Sequence, residues 1–433
     1  MTELSVVRSD AEDAYLNQFD AAKDALPGSG WSAKLREDAI ARFRETGLPH
    51  RRVEEWKYTD LRAALKDVKT LAGEAAAALP ADRFDAVIRD IITIANGRVT
   101  GELPAVEGMT ITRLSDVLTN GSAEQRAAIE TTPARGDNPV YALNTALMAD
   151  GLVIEIAPGA EIEKPLHIRS IFTGDNDGAT FTRIAIVAGE GAKATFLETF
   201  EGPHSAYQTN AATTVIVADK AEIDHFRVQT EGGAATHLAN LICEIGEESD
   251  FNLLNYVQGA ALSRLDLSIA FKGENANCNV RAANLLSGKQ HGDTTMFVDH
   301  AVPHCESSEI FKTVLGGTAR GVFQGKILVR PHAQKTDGQM SANAIMLSDE
   351  AEMDVKPELE IYADDVVCGH GATSGQLDED LLFYLKARGI HDREAKALMI
   401  AAFVGEAFED IGHDDIADVV LAIANDWISE AEI

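Results

Sequence analysis

The chain has 433 residues, 45% of them hydrophobic and 25% charged, which excludes a mainly disordered polypeptide and exceeds the span of one hydrophobic core, so two or three structural units are expected. Lys plus Arg number 38 against 69 Asp plus Glu, a formal charge of -31; such a surface repels phosphate backbones and anionic headgroups, so neither nucleic acid nor a membrane is an expected partner. Four cysteines, Cys243, Cys278, Cys305 and Cys368, form no CxxC pair, which predicts no disulfides and limits any metal site to one that is incomplete or shared with another chain.

The first residues, MTELSVVRSDAEDAY, carry acids where a secretory signal needs a basic start and an apolar stretch, and the longest apolar run, 397–404, is far too short to cross a bilayer. The expected location is the cytoplasm. Residues 1–85 read as helical: within 33–46, Leu35, Ala39, Ile40 and Phe43 share one stripe, and Ala-rich stretches over 61–79 extend the helical composition. Residues 86–150 mix short apolar runs such as 87–94 with Gly and Pro punctuation and read as a mixed α/β lead-in.

Residues 151–375 are strand-like, with runs such as Leu152-Val-Ile-Glu-Ile, Arg183-Ile-Ala-Ile-Val, Thr214-Val-Ile-Val and Leu359-Glu-Ile-Tyr. A motif recurs in which an apolar strand end meets a polar turn with Gly or Asp and then a small residue. Its starts at Ile156, Val187, Val217, Ile245 and Phe271 lie 31, 30, 28 and 26 residues apart, the near-constant period of a stacked solenoid. A β-helix is the expected core; a large β-sandwich with regularly spaced turns is the alternative.

After Gly375 the chain turns helical again over 376–433. Leu381, Leu382 and Leu385 stripe one helix, Arg388-Gly389 has the form of a helix end, and Ile400, Val404, Ala407, Phe408 and Ile411 stripe the next. This tail holds 14 acids and 4 basic residues, which fits either a solvated face or docking to a basic partner.

Catalytic signatures are absent. Neither Gly325-Lys326-Ile327 nor Gly288-Lys289-Gln290 completes a phosphate loop, because the Ser or Thr after Lys is missing. Gly189-Glu-Gly191 lacks a third glycine at dinucleotide spacing and reads as a turn between strands. No GxSxG elbow, HExxH helix or EF-hand loop occurs.

Two segments carry metal-ligating types. In Asp299-His300-Ala-Val-Pro303-His304-Cys305-Glu306, Pro303 argues against a helix that would bring His300 and His304 to one face. In Asp364-Asp365-Val-Val-Cys368-Gly369-His370-Gly371, an extended backbone puts Cys368 and His370 on the same face, and the flanking glycines permit close approach. The bland alternative is that both pairs are packing residues.

The run IMLSDEAEMDVKPELEIYADDVVCGHGATSGQLDEDLLFYLKARGI, 345–390, closely resembles the C-terminal signature of the SufB/SufD family. Asp299-His300 with Pro303 and Ser307, Gly321-Val-Phe-Gln-Gly325-Lys and Ala333-Gln-Lys-Thr336 are similar to the family core, so the resemblance covers most of 150–433. The entry motif Glu54-Glu-Trp56-Lys57-Tyr58-Thr59, and His370 at a functional histidine position, resemble the SufD branch.

The resemblance implies a right-handed parallel β-helix between helical ends and a non-catalytic scaffold subunit of iron-sulfur cluster assembly. It implies a SufB-like paralogue paired through the core and the ABC-type ATPase SufC bound by the C-terminal helices. It further implies iron or a nascent cluster held transiently between this chain and SufB, with His370 as metal ligand and Cys368 as a lesser one. Two rivals remain open: a β-helix enzyme of the polysaccharide-lyase kind, disfavoured because Trp31, Trp56 and Trp427 all lie outside the β core, and a standalone homodimeric iron- or cofactor-binding protein.

Overall fold

The computed structural model describes residues 8–76, 78–136, 138–174, 177–409 and 412–431. The chain opens with α1 (Asp10–Ala22), α2 (Trp31–Thr46), a 3-10 turn at Glu54–Trp56 and α3 (Leu61–Ala64). It continues with β1 (Asp90–Ala95), β2 (Arg98–Thr100), β3 (Met109–Arg113), α4 (Leu114–Asn120), α5 (Ala123–Glu130) and α6 (Pro139–Leu147). The central strands are β4 (Asp150–Ile156), β5 (Leu166–Ile171), β6 (Ala179–Ala188), β7 (Lys193–Glu201), β8 (Gln208–Val217), β9 (Glu222–Gln229), β10 (Thr236–Ile245) and β11 (Asp250–Val257). They are followed by β12 (Leu262–Phe271), β13 (Asn277–Leu286), β14 (His291–His300), β15 (Glu306–Leu315), β16 (Arg320–Val329), β17 (Asp337–Met346), β18 (Glu352–Ile361) and β19 (Val367–Gly375). Three helices end the chain: α7 (Glu379–Ala387), α8 (Asp392–Gly405) and α9 (Asp414–Glu430). Among the described residues no helix is long and apolar enough to cross a membrane.

From β4 onward each strand pairs in parallel with the strand two places along the chain, so even-numbered strands build one sheet and odd-numbered strands the other. The chain therefore winds as a flattened parallel β-solenoid with two strands per coil. Thr236 of β10 faces Leu262 of β12, 26 residues on, whereas Asp150 of β4 faces Thr182 of β6, 32 residues on. That variation is what the turn motif recorded in the sequence.

In-register stacking arranges interior side chains in rows. One row runs Ile154, Ile186, Val215, Cys243, Ile269, Val298 and Ile327 across successive strands, all in a single buried core. Cys243 fills it as a small hydrophobe. Corners stack likewise: Gly159, Gly191, Lys220, Glu248, Asn275, His304 and Lys335 all hold φ between 53° and 68°. Backbone bonds link one corner to the next, such as Gly191 N to Asp219 O and Lys220 N to Glu247 O, each 2.7–2.8 Å. A left-handed conformation costs a non-glycine residue about 1–2 kcal/mol, which the repeated corner bonds offset.

Both sheets are also covered outside, which is why their strands read as nearly continuous apolar runs. α1, α2 and α6 pack over the even-numbered sheet, with Phe43, Leu143 and Leu147 against Phe181 and Leu238. α8 and α9 cover the odd-numbered sheet, with Ile400, Val404, Val420 and Trp427 against Phe226, Leu254, Tyr256 and Leu285.

Three expectations need correction or completion. Among its described residues the Ala-rich stretch 61–79 is helical only in α3; beyond it Leu71 bridges to Ala179, and Ala72 N bonds Ala179 O at 2.8 Å. With no apolar stripe to bury as a helix, that segment places its backbone groups on the sheet instead. The stripe of α7 stays out of the core, since no residue of this helix is buried. Of the second tail stripe, Ile400, Val404, Ala407 and Phe408 are buried; Ile411 lies outside the described residues.

The entry motif is an anchor. Trp56, 4% exposed, lies over the Arg264 guanidinium at 3.6 Å from the ring centroid, and Arg264 also reaches Asp293, Asp266 and the Glu55 carbonyl. Thr59 bonds His291 at 2.9 Å, and Glu54 pairs with Lys356 of β18. Trp56→Ala removes a packed ring and a cation–π contact together, and is expected to cost about 3–5 kcal/mol. The check is a lowered thermal midpoint with earlier proteolysis of the N-terminal 60 or so residues; an unchanged midpoint refutes the anchor.

Candidate functional site

Among the described residues β19 pairs only with β17, and β18 only with β16, so both sheets end at these strands. Across the β17–β19 ladder Cys368 faces Gly338, and His370 faces Met340. Met340 and Ala342 belong to the interior core, so the alternation of a strand turns Cys368, His370 and Ala372 to that same interior face. The shared face read from the sequence is therefore the inside of the solenoid, at its open end.

No coil lies beyond this face. Met353, Val355 and Leu359 of β18, with Cys368, are only partly buried, while His370 is exposed. Among the described residues the His370 side chain makes no hydrogen bond or ion pair. Gly338 leaves room beside the thiol on this inner face, where a Cβ would lie 3.5 Å from Cys368 Sγ.

Behind the opening two rows lead inward. One holds Cys278, Ser307, Gly338 and Cys368; the next holds Val280, Glu309, Met340 and His370. Glu309 is fully buried and neither carboxylate oxygen has a hydrogen-bond partner within bonding geometry. Burial pushes its carboxyl up to about 8, against the opposing pull of the Ser307 hydroxyl and Arg281. Burial likewise raises the Cys368 thiol; the Gly338 backbone opposes this, and Asp337 and Glu309 add to it. A metal taken by Cys368 must first displace its proton.

The other metal-type segment is dispersed by the fold. His300, at the end of β14, is buried against Phe271 with ring centroids 4.4 Å apart, and its Nε2 lies 3.0 Å from Ser307 Oγ. His304 occupies the left-handed corner position and faces solvent. The Cys305 thiol is buried and donates to the Gly273 carbonyl at 3.3 Å. Among the described residues no three His, Cys, Asp or Glu groups stand ready to hold a metal ion.

Sequence reasoning missed the polar interior. Glu198 Oε2 lies 3.3 Å from His225 Nε2, and Thr213 donates to Glu198 at 2.9 Å. Glu231 Oε2 is 2.6 Å from His237 Nδ1, close although not aligned as a hydrogen bond, and Thr209 and Gln229 donate to Glu231. Arg227 lies over Phe200 and bonds Asn255 at 3.0 Å. The available signal was parity: Glu198 and Glu309 each stand two residues from an inward phenylalanine, Phe196 and Phe311, which an isolated strand does not show to be inward.

Glu309 gives a pH test. Its folded value lies above the ordinary carboxylate range, so between about pH 4.5 and 8 the folded chain holds a proton that the unfolded chain has released, and stability falls as pH rises. Glu309→Gln is expected to remove that slope. Thermal midpoints of both forms at pH 5 and pH 8 check it; the buried histidines His167 and His300, held low by burial, act equally in both forms and cancel in the difference.

A solenoid with an open, ligand-poor end and helical covers is where comparison with known proteins becomes informative. Residues 9–168 match the family described as SufBD protein N-terminal region, and residues 171–403 match SUF system FeS cluster assembly, SufBD core domain. The iron-sulfur cluster assembly protein SufD of Escherichia coli (strain K12) is 32% identical over 386 residues, covering 87% of this chain and 88% of that protein. An iron-sulfur cluster assembly SufBD family protein of Synechocystis is 31% identical over 417 residues, 91% of each chain. The two matched regions meet near the start of the solenoid and take in its open end, and on that breadth of agreement the chain belongs to the SufB/SufD family and has its role in iron-sulfur cluster assembly.

Proposed function

We propose that this chain is a non-catalytic scaffold subunit that pairs with a SufB-like paralogue through the open end of its solenoid. There His370, with Cys368 as a secondary donor, takes part in holding iron or a nascent cluster shared with that paralogue. The observation that carries this reading is the uncovered last coil: two adjacent edge strands whose core-facing side chains, Met353, Val355, Leu359, Cys368 and His370, lack the next coil. An unpaired edge with an apolar interior face is a template for another strand layer. One imidazole and one protonated thiol do not retain a cluster alone, whereas donors contributed from both sides of a junction form a site that can also release it.

The C-terminal helices supply the second contact, with the ABC-type ATPase SufC. α7 buries none of its residues and leaves Phe383 73% exposed beside Tyr384 and Leu381, a patch suited to a partner surface. The phosphate loop missing from this sequence would then come from that partner. The cytoplasm is the compartment that fits four free cysteines.

Anaerobic co-expression with the SufB-like and SufC-like chains of the same genome is expected to yield one complex with two ATPase subunits and one of each other chain. A homodimer without ATPase would instead support a standalone iron- or cofactor-binding protein. His370→Ala is expected to keep the wild-type thermal midpoint, because the side chain is exposed, and to abolish cluster assembly in cells that depend on this system. Wild-type assembly by that variant would remove His370 from the site.

A further inference from the structure

Among the described residues, Glu198 and Glu231 each lie beside a histidine of the lumen, and Glu309 does not. Glu198 has His225 and Thr213, and Glu231 has His237, Thr209 and Gln229. Glu309, equally buried, has neither oxygen in hydrogen-bond geometry, and the Ser307 hydroxyl and Arg281 are the side chains that favour its charge. A leucine or glutamine at this position would fill the same space at less cost, since an unpartnered buried carboxyl forfeits its hydrogen bonds to water.

What singles Glu309 out is its row. Register places it in line with Met340 and then His370, each one strand further toward the opening. At about 4.8 Å between strands, the backbones of Glu309 and His370 stand roughly 10 Å apart on the same face. A carboxylate and an imidazole reaching toward each other across that gap can bracket one ion, with metal–ligand distances of about 2.1 Å on either side. Between them lies the Met340 side chain, the most flexible of the apolar residues. Its sulfur is packed over Gly325, where a Cβ would come within 2.3 Å, so the opposite wall already provides room for it.

We propose that Glu309 is the inner ligand of a divalent-cation site at the open end of the solenoid, with His370 as the outer ligand and Met340 yielding between them. Hard oxygen on one side and borderline nitrogen on the other suit Fe2+ and cations like it. The incoming charge gives the buried carboxylate the partner it lacks, and the ion sits one layer below the rim. The site forms only on entry, in keeping with the absence of a ready-made ligand cluster among the described residues. The proposal rests on the reading of His370 given above but adds a residue two strands away.

The test is anaerobic titration of the full chain with Co2+, followed by visible absorption and calorimetry. Wild type is expected to bind one equivalent. Glu309→Gln is expected to weaken binding at least tenfold without lowering the thermal midpoint, Glu309→Asp to recover part of the loss, and His370→Ala to weaken binding as well. If Glu309→Gln binds like wild type while His370→Ala does not, the inner ligand is overturned and the role of His370 stands. If neither variant changes binding, or wild type binds no Co2+, the proposed cation site is overturned, and the assembly measured by co-expression remains a separate question.

Discussion

In-register parallel stacking is the constraint from which the rest follows. Each strand of the solenoid uses the previous coil for its backbone hydrogen bonds and offers its far side to the next, so a residue's neighbours are set by its place in a row more than by its neighbours in sequence. Some rows stay apolar throughout, as from Ile154 to Ile327; others admit a polar group and satisfy it sideways, as Glu198 does with Thr213 on the facing sheet. Where stacking stops, at β18 and β19, a core row meets solvent, and what would be packing residues elsewhere become accessible. His370 is exposed because the solenoid ends there, although its position in the strand is an interior one.

The helices cover outer faces that would otherwise be apolar. The N-terminal segment is held by Trp56 on Arg264, an arginine whose charge is balanced by Asp293 and Asp266. Removing the ring would expose both the apolar sheet and a charge group built to be covered. The same segment touches β18 through Glu54 and Lys356, so the cover of one face ends beside the open coil. With a formal charge of -31, a chain of this kind gains from every cation it can hold against its own carboxylates.

The solenoid was legible because its corners are punctuated: Gly159, Gly191 and the polar turns after Val217 and Ile245 gave a period that the coils reproduce. The helix at 31–46 was legible from its stripe, of which Ala39, Ile40 and Phe43 are buried. That Cys368 and His370 share a face was legible because strand parity is a local property. What stayed hidden depends on parity relative to a distant coil. Glu309 looks in sequence like any strand carboxylate, and only register with Met340 and His370 puts it behind the opening. His300, His304 and Cys305 were adjacent in sequence and looked like a cluster, but a corner at His304 turns them to different surroundings. The stretch 61–79 was misread because alanine favours helix intrinsically, whereas a chain with nothing to bury along a stripe is claimed by a sheet edge.

The two ends of the solenoid are unlike. At the start, β2 with three residues and β3 with five close the sheets by antiparallel pairing; at the finish, β18 with ten residues and β19 with nine run free. A second solenoid of this design meeting the free end across a two-fold axis would set its last strands antiparallel to these, join the sheets through, and leave only blunt ends facing outward. Growth then halts at two bodies. A head-to-tail join would regenerate a long edge with each addition and run on as a fibre. Unequal ends of this kind would act as a chain terminator, letting an exposed sheet edge pair once without polymerising.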